Sequence, residues 1–352
     1  MNKIKLSSNI EVDGITASLS NAFDYEFSGQ SETIIEYPDI PKEGIGLIVG
    51  PSGSGKSTIL STLGDLNLPE WSSGKSVCSH FKSKSDAYER LGAIGLNSVP
   101  SWVREYSTLS NGEKFRADLA RNLNDGALID EFTSVVDRQV AKSCCYAAQR
   151  YIRLQNWERV IFASCHYDII EWLIPDWVLD MKTGLLSRRG SERRPKIVME
   201  ILPCTTGAWS IFRNHHYLSG NINKSSKCWV AEWNGQPVGF ASAIAYPSGS
   251  VKNAWREHRT VVLPDFQGLG LGVRISDAIG EIFISEGKRY FSKTSNYRMG
   301  EYRERSSKWR PTSKNKKARP DYDNNRLTKE SKNKHKHINR ICYSHEYMGL
   351  SS

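Results

Sequence analysis

The chain has 352 residues, 39% of them hydrophobic and 24% charged, enough for two domains each with its own core. Its most apolar stretch, 160–181, is broken by His166, Asp168, Glu171, Asp176 and Asp180, so no segment reads as a membrane-spanning helix. The net charge is +10, but 18 of the 48 Lys/Arg and only 5 Asp/Glu fall between Gly287 and Arg340, which leaves the rest close to neutral. A local excess of that kind is the footprint of a polyanion-binding segment, with a solubilising tail as the blander alternative. Seven cysteines, an odd number with no C-x-x-C pair, and an N-terminus without an apolar signal core point to free thiols in a reducing cytoplasm.

In chain order, Gly46-Leu47-Ile48-Val49 reads as a buried strand. Gly50-Pro51-Ser52-Gly53-Ser54-Gly55-Lys56-Ser57 follows and fits the phosphate-loop pattern G-x-x-x-x-G-K-[ST] at every defined position, ahead of a helix beginning at Thr58. Glycines let backbone N–H groups turn inward as a nest for phosphate oxygens at the positive end of the helix dipole. Gly50, Ser52, Gly53, Gly55, Lys56, Ser57 and Thr58 are therefore expected to hold a nucleotide. Lys56 would reach its β- and γ-phosphates, and the Ser57 hydroxyl would ligate Mg²⁺.

Three constellations come next. Leu109-Ser110-Asn111-Gly112-Glu113-Lys114 opens a helix running through Arg116, Leu119, Ala120 and Leu123. Ala127-Leu128-Ile129 is an apolar strand ending in Asp130-Glu131, with Val135-Val136-Asp137 just beyond. Val160 to Ser164 is a further strand, ending at Cys165-His166. A strand-end Asp130 can hold Mg²⁺ through its water shell, and Glu131 can polarise an attacking water.

In this order behind a phosphate loop, residues 1–190 resemble the ABC-class ATPases. The matches are Gly50 to Thr58, the signature Leu109 to Lys114, Asp130 with catalytic Glu131, the Val135 to Asp137 loop and the switch histidine His166. The resemblance implies an α/β P-loop domain that binds and hydrolyses ATP with Mg²⁺ as a head-to-tail homodimer. ATP would lie between one subunit's Lys56 and the other's Ser110 and Gly112. The signature has Asn111 where the family usually has glycine, and the family's glutamine is missing, with Asn97 as the candidate substitute. The short insert and the missing glutamine both weaken a transporter-subunit reading. The adenine-stacking aromatic is open among Phe23, Tyr25 and Phe27.

The polar, Pro-terminated stretch Ser187 to Pro195 marks a linker. Strands follow at Lys196–Ile201, Cys228–Glu232 and Pro237–Ala241, the last two joined through Asn234-Gly235, a hairpin signal. A strand from Arg259 to Pro264 then runs into Gln267-Gly268-Leu269-Gly270-Leu271-Gly272 and an amphipathic helix through Ile275, Ile279, Ile282 and Phe283. Backbone N–H groups at that helix start are again offered to an anion.

Val262 and Pro264 with Gln267, Gly270 and Gly272 make residues 196–312 resemble the GNAT acyltransferases, an α+β fold. The resemblance implies that Gln267, Gly268, Gly270 and Gly272 bind the pyrophosphate of acetyl-CoA or another acyl-CoA. The expected domains are thus 1–190, 191–312 and a basic, unfolded tail over 313–352. Arg213 to Gly220, read as a helix carrying His215-His216-Tyr217, also looks similar to Mom-like phage proteins, GNAT-fold enzymes that modify bases in DNA. The whole architecture resembles phage and archaeal fusions of an ABC ATPase with an acetyltransferase-like domain.

Acyl transfer needs a base for the nucleophile and an acid, often Tyr, for the departing thiolate. The candidates are Glu257, His258, His215, His216, Tyr217, Tyr297 and Tyr302. His215 and His216 point about 100° apart on a helix, which disfavours a shared metal. In the tail, Tyr302 and Trp309 interleave with Lys314, Lys316, Lys317 and Arg319, a pattern suited to nucleic acid. Three functions remain: an ATP-driven transferase acting on nucleic acid or an associated substrate, a nucleic-acid clamp whose GNAT-like part only recognises its target, and a transporter's ATP-binding subunit.

Overall fold

A computed structural model of the chain describes residues 2–25, 28–66, 68–188, 197–216, 221–247, 251–318 and 341–349. The order begins β1 (Asn2–Asn9), α1 (Gly14–Ala22), β2 (Gln30–Tyr37), β3 (Gly44–Val49) and α2 (Lys56–Thr62). An insert supplies α3 (Lys84–Ala93), α4 (Val99–Trp102) and α5 (Asn111–Asn122). The chain then adds β4 (Leu128–Ile129), α6 (Arg138–Gln155), β5 (Arg159–Ser164), α7 (Ile169–Leu173), β6 (Trp177–Asp180) and β7 (Leu185–Arg188). The C-terminal half contributes β8 (Glu200–Cys204), α8 (Trp209–Phe212), β9 (Lys227–Trp233), β10 (Gln236–Ala245), β11 (Ala254–Val262) and α9 (Leu271–Ser285). Last come β12 (Arg289–Thr294), α10 (Tyr297–Arg305), β13 (Trp309–Pro311), β14 (Lys317–Ala318) and β15 (Ile341–Tyr347).

The chain forms two compact units, one of Met1–Glu70 with Arg121–Arg194, the other of Trp71–Ala120 with Pro195–Ser352. By contacts, the insert of α3, α4 and most of α5 thus groups with the C-terminal half. In the first unit β1 pairs antiparallel with β2. A second sheet runs β4-β5-β3-β6-β7, parallel except for the β6–β7 hairpin. β3 and β5 are buried along almost their whole length, as strands covered on both faces must be, and their continuous apolar runs reflect that. Ile48, Ile59, Leu60, Ile161, Ala163, Trp177 and Leu179 pack together beneath the phosphate loop.

The second unit holds an eight-stranded sheet in the order β13-β15-β12-β11-β10-β9-β8, with β14 against β15. The Asn234-Gly235 turn takes positive φ at both residues (53° and 72°), the geometry that matches strand twist in a two-residue hairpin. All the pairings along this order are antiparallel except that of β11 with β12.

That parallel ladder covers only Ala254–Arg256 against Arg289–Phe291, after which β11 continues beside β10 and β12 beside β15. Arg303 of α10, 1% exposed, links the two strands beyond the ladder. Its guanidinium donates to Glu257 Oε2 (2.9 Å) on β11, to the Ser292 hydroxyl on β12 and to Ser276 Oγ (2.8 Å) on α9, and it lies 4.5 Å from the Trp309 ring centre.

Two expectations need correction here. The basic end is not wholly an unfolded tail, because β15 inserts between β12 and β13. Tyr343 and Tyr347 fill space left by Gly300 and Gly280, where a Cβ would lie 2.2 and 2.5 Å from the rings. Trp309 is 4% exposed, its Nε1 donating to Asp277 Oδ1 (2.8 Å), so it is a core residue and not a platform for bases. Its apolar bulk outweighed the basic context in which it stands. Arg319 and the rest of 319–340 lie outside the described residues.

Burial pushes the Glu257 carboxyl up, but Arg303 and the Ser292 and Thr260 hydroxyls outweigh it and hold the group below the usual carboxylate range. The stability it contributes is complete above that range and is lost as pH falls through the lowered value. Arg303→Ala leaves Glu257 buried without its counter-charge, and should cost about 3–5 kcal/mol in urea unfolding at neutral pH. The loss relative to wild type should shrink as the medium is acidified through the Glu257 titration.

Candidate functional site

The phosphate loop is built as the chemistry requires. Gly55 caps α2 at φ +86°, with no side chain bonded to the helix's first N–H groups, and a Cβ there would lie 2.4 Å from Ile35 Cδ1. Only glycine satisfies both limits. Lys56 is 6% exposed and its ammonium donates to the carbonyls of Gly50 (2.9 Å) and Pro51 (2.7 Å), inside the loop. Ser54 Oγ is buried with no partner among the described residues. Uncapped N–H groups, an inward ammonium and an unpaired hydroxyl fit a phosphate chain. Ser57 is exposed on the first turn and Asp130 is half-buried at the end of β4, the two groups that would hold Mg²⁺.

Asp130 Oδ1 accepts from Glu131 N (2.8 Å), and Glu131 takes φ +48° with its side chain in solvent. β5 fixes the neighbouring loops: Phe132 N donates to Ala163 O (2.8 Å), Ser164 Oγ to Phe132 O (2.8 Å) and His166 N to Ser164 Oγ (3.2 Å). Asp137 caps α6 by accepting from Gln139 N and Val140 N, both at 2.9 Å. Phe23 and Tyr25 are exposed by 77% and 66%, and Phe27 lies outside the described residues.

In the insert, Ser110 starts α5 in a reciprocal cap. Glu113 N donates to Ser110 Oγ (3.4 Å), while Ser110 N (3.0 Å) and Oγ (3.1 Å) donate to Glu113 Oε2. Gly112 lies in the helix's first turn. Glu113 also accepts from Ser101 Oγ (2.5 Å), and these bonds with Arg104 outweigh burial to lower its carboxyl. The spacing Ser110-x-x-Glu113 was legible in the sequence as a capping box, a signal the motif reading passed over.

The second anion loop follows β11. Gly268 and Gly270 take φ of +89° and +76°, Gly270 caps α9 with no side-chain hydrogen bond to its first turn, and Gly272 has ordinary contact with Val262. N–H groups at a helix start without a side-chain cap fit a diphosphate. Gln267 is fixed at both ends of its amide, with Nε2 donating to Val262 O (2.9 Å) and Oε1 accepting from Asn97 N (3.1 Å). Asn97, expected as a stand-in for the missing glutamine, thus meets the anion loop with its backbone.

The acid/base candidates separate. Glu257 is engaged with Arg303, Ser292 and Thr260, and the sequence alone could not disclose the Arg303 partner. His258 is the extra residue of a bulge, between the pairs Ser242↔Arg259 and Ala243↔Glu257. Burial, then Arg259 and Arg256, lower it to about 4, so the imidazole is neutral at physiological pH. Its Nε2 accepts from Asn223 N (3.3 Å).

His215 is exposed and His216 packs edge-on to Trp209, in a 3₁₀ turn rather than the expected helix, and Tyr217 lies outside the described residues. Tyr297 is 42% exposed between the rings of Tyr88 and Tyr343. The Tyr302 hydroxyl donates to Asp277, and burial followed by that carboxylate pushes it up to about 12.

Residues 195–300 match the family model for acetyltransferases of the GNAT family. The chain carries a GNAT domain. No curated protein matches the chain significantly. Among solved structures, a dimeric bacterial ABC transporter cassette is 16% identical with a TM-score of 0.37, over 45% of this chain and 93% of that one. A ribosomal-protein alanine N-acetyltransferase from Escherichia coli is 15% identical with a TM-score of 0.31, over 44% and 97%. A GNAT acetyltransferase from Elizabethkingia anophelis with acetyl-CoA bound is 16% identical with a TM-score of 0.30, over 43% and 98%. Likenesses this distant carry no functional argument, so the nucleotide reading rests on the loop's own geometry. The similarity to Mom-like proteins finds no support in them. Among the described residues no helix is long and apolar enough to cross a membrane.

Gly270→Val would place a β-branched residue at φ +76°, a conformation it adopts only under strain, and so distort the loop. It should abolish calorimetric binding of acetyl-CoA. Lys56→Ala should weaken ATP binding at least tenfold, about 1.4 kcal/mol, without changing acetyl-CoA binding in the absence of nucleotide.

Proposed function

We propose that this protein is an ATP-binding and ATP-hydrolysing acyltransferase, in which ATP closes a homodimer and the GNAT domain transfers an acyl group from acyl-CoA to nucleic acid or a substrate associated with it. The observation that carries the reading is the pair of anion loops, each an αL-glycine cap on a helix start free of side-chain caps. Coenzyme A, when bound, supplies the activated acyl group as a thioester. Gln267 to Gly272 bind its diphosphate, and the β11 bulge at His258 lies at the opened part of the sheet. Glu257 and Arg303 keep that opening fixed. His258 at that bulge, with Tyr217 and Tyr297, remains a candidate for the acid/base roles.

On the ATP side, Lys56, Ser110 and Gly112 bind the phosphates, Ser57 and Asp130 hold Mg²⁺, Glu131 polarises water and His166 senses the γ-phosphate. Nucleic acid as partner is supported by the excess of basic residues after Gly287. That support is narrower than the composition suggests, because Arg289 and Arg310 pair with Glu346, and Lys316 with Glu304. Lys314 and Lys317 stay exposed.

Two experiments test the reading. Glu131→Gln should bind ATP, hydrolyse it at least about a hundredfold more slowly and sediment as a dimer; a monomer at every concentration overturns ATP-driven dimerisation. Isotopically labelled acetyl-CoA incubated with the full chain, ATP and DNA, RNA or cell protein should leave label in the nucleic-acid fraction. Label only in protein that does not associate with nucleic acid overturns the acceptor. Binding of DNA with no label anywhere favours a clamp whose GNAT domain only recognises its target.

A further inference from the structure

The insert that carries the signature serine also braces the acyl-CoA loop. A Cβ on Gly95, which has φ +92°, would lie 2.6 Å from Gln267 O and 3.1 Å from Gly268 N, so the two backbones touch. Two residues on, Asn97 N donates to Gln267 Oε1 (3.1 Å). Arg298 of α10 reaches the other side of this turn, with its Nη1 donating to Glu89 O (3.3 Å) and its Cδ 2.6 Å from where a Cβ of Gly92 would stand.

From this brace a line of bonds, buried at the Trp102 end and exposed at the Ser110 end, leads to the signature. Leu96 O accepts from Trp102 Nε1 (2.6 Å). Beside Trp102 in α4, Ser101 is 1% exposed and its hydroxyl donates to Glu113 Oε1 (2.5 Å). Glu113 Oε2 in turn accepts from Ser110 N and Oγ.

We propose that engagement of a nucleotide γ-phosphate by Ser110 loosens the Gly95–Asn97 brace on Gln267 and thereby weakens acyl-CoA binding at the Gln267–Gly272 loop. The proposal rests on the ATP and acyl-CoA readings given above and adds the regulation of the second site by the first. A serine hydroxyl has one proton, and Ser110 gives it to Glu113. Donating it to a phosphate breaks that bond and brings an anion beside the Glu113 carboxylate. Like charges at one helix start repel, so Glu113 shifts toward Ser101 and Arg104. Ser101 is packed in α4 and has no room to yield alone; its displacement carries Trp102, and through Leu96 O the turn that holds Gln267. The loop is pre-organised by that contact, so releasing it lowers affinity for the diphosphate. Binding linkage requires acyl-CoA to weaken the nucleotide by the same factor.

Calorimetry of the full chain with coenzyme A, with and without saturating ATPγS and Mg²⁺, tests the inference. Coenzyme A should bind at least about fivefold more weakly with the nucleotide present, the lower end of usual allosteric couplings, and ATPγS should lose the same factor with coenzyme A present. Ser101→Ala interrupts the line in its middle and touches neither ligand. It should bind each ligand alone like wild type, and the mutual effect should fall below about twofold. Gly95→Val, which forces the two backbones apart, should likewise uncouple the sites.

An unchanged or tightened coenzyme A affinity in wild type with nucleotide overturns the brace, as does full coupling in folded Ser101→Ala. Failure of wild type to bind coenzyme A without nucleotide is a different result: it overturns the acyl-CoA reading, and the coupling with it.

Discussion

The buried Arg303–Glu257 pair is the constraint around which the GNAT domain is arranged. β11 and β12 stop sharing backbone hydrogen bonds after Arg256 and Phe291, although both strands continue. A sheet opened in its middle needs something to fix the width of the opening. Arg303 does so by bonding to β11, β12 and α9 at once while Trp309 covers its face. An ion pair this deep gains little stability over apolar packing, because desolvating both charges offsets most of their attraction. What it gains is position: the fixed donor directions of a guanidinium hold three elements in one geometry, which a leucine could not do.

The two candidate binding loops share one construction. Each follows a strand, ends in a glycine with positive φ and delivers a helix start with no side-chain cap. The signature helix α5 differs, because Ser110 and Glu113 cap one another. A capped start is already satisfied, so a phosphate must displace a protein carboxylate in order to bind there. The two free loops carry no such cost. The three helix starts offer the same backbone groups, and their side chains decide which of them are available to an anion in advance and which must be opened.

Much of this was legible in the sequence where local rules are strong. The phosphate loop, the Asn234-Gly235 hairpin, the apolar strands of the five-stranded sheet and the helix through Ile275 and Ile279 follow from short-range spacing, and the structure has them within a few residues. What was hidden depends on partners far away in the chain. Glu257 looked like a base because nothing nearby reveals Arg303, 46 positions on. Trp309 looked like a nucleic-acid platform because lysines and arginines surround it, whereas on its short strand it is buried while Arg310 and Pro311 are exposed. β15 was overlooked because it follows a polar stretch, although Ile341-Cys342-Tyr343 and Tyr347 have the side chains of a buried strand. Charge composition describes a segment's average, and burial is decided residue by residue.

Whether the insert acts as a rigid spacer or as a transmitter is a question of magnitudes. A single neutral hydrogen bond is worth about 0.5–1.5 kcal/mol net, and couplings between sites commonly run to about 1–3 kcal/mol. The line from Ser110 to Gln267 contains bonds to the charged Glu113 carboxylate, which are stronger than neutral ones, and ends in a backbone contact with no slack at Gly95. Losing one charged bond and moving one tight contact is therefore enough to reach that range. A looser connection, with a water-filled gap or a long side chain between the turn and the loop, would dissipate the same displacement in rotamer changes. At the Gly95 end close packing admits no such absorption. The glycine at position 95 is thus the residue in which the economy of this design is most exposed: any side chain there would separate the insert from the loop it braces.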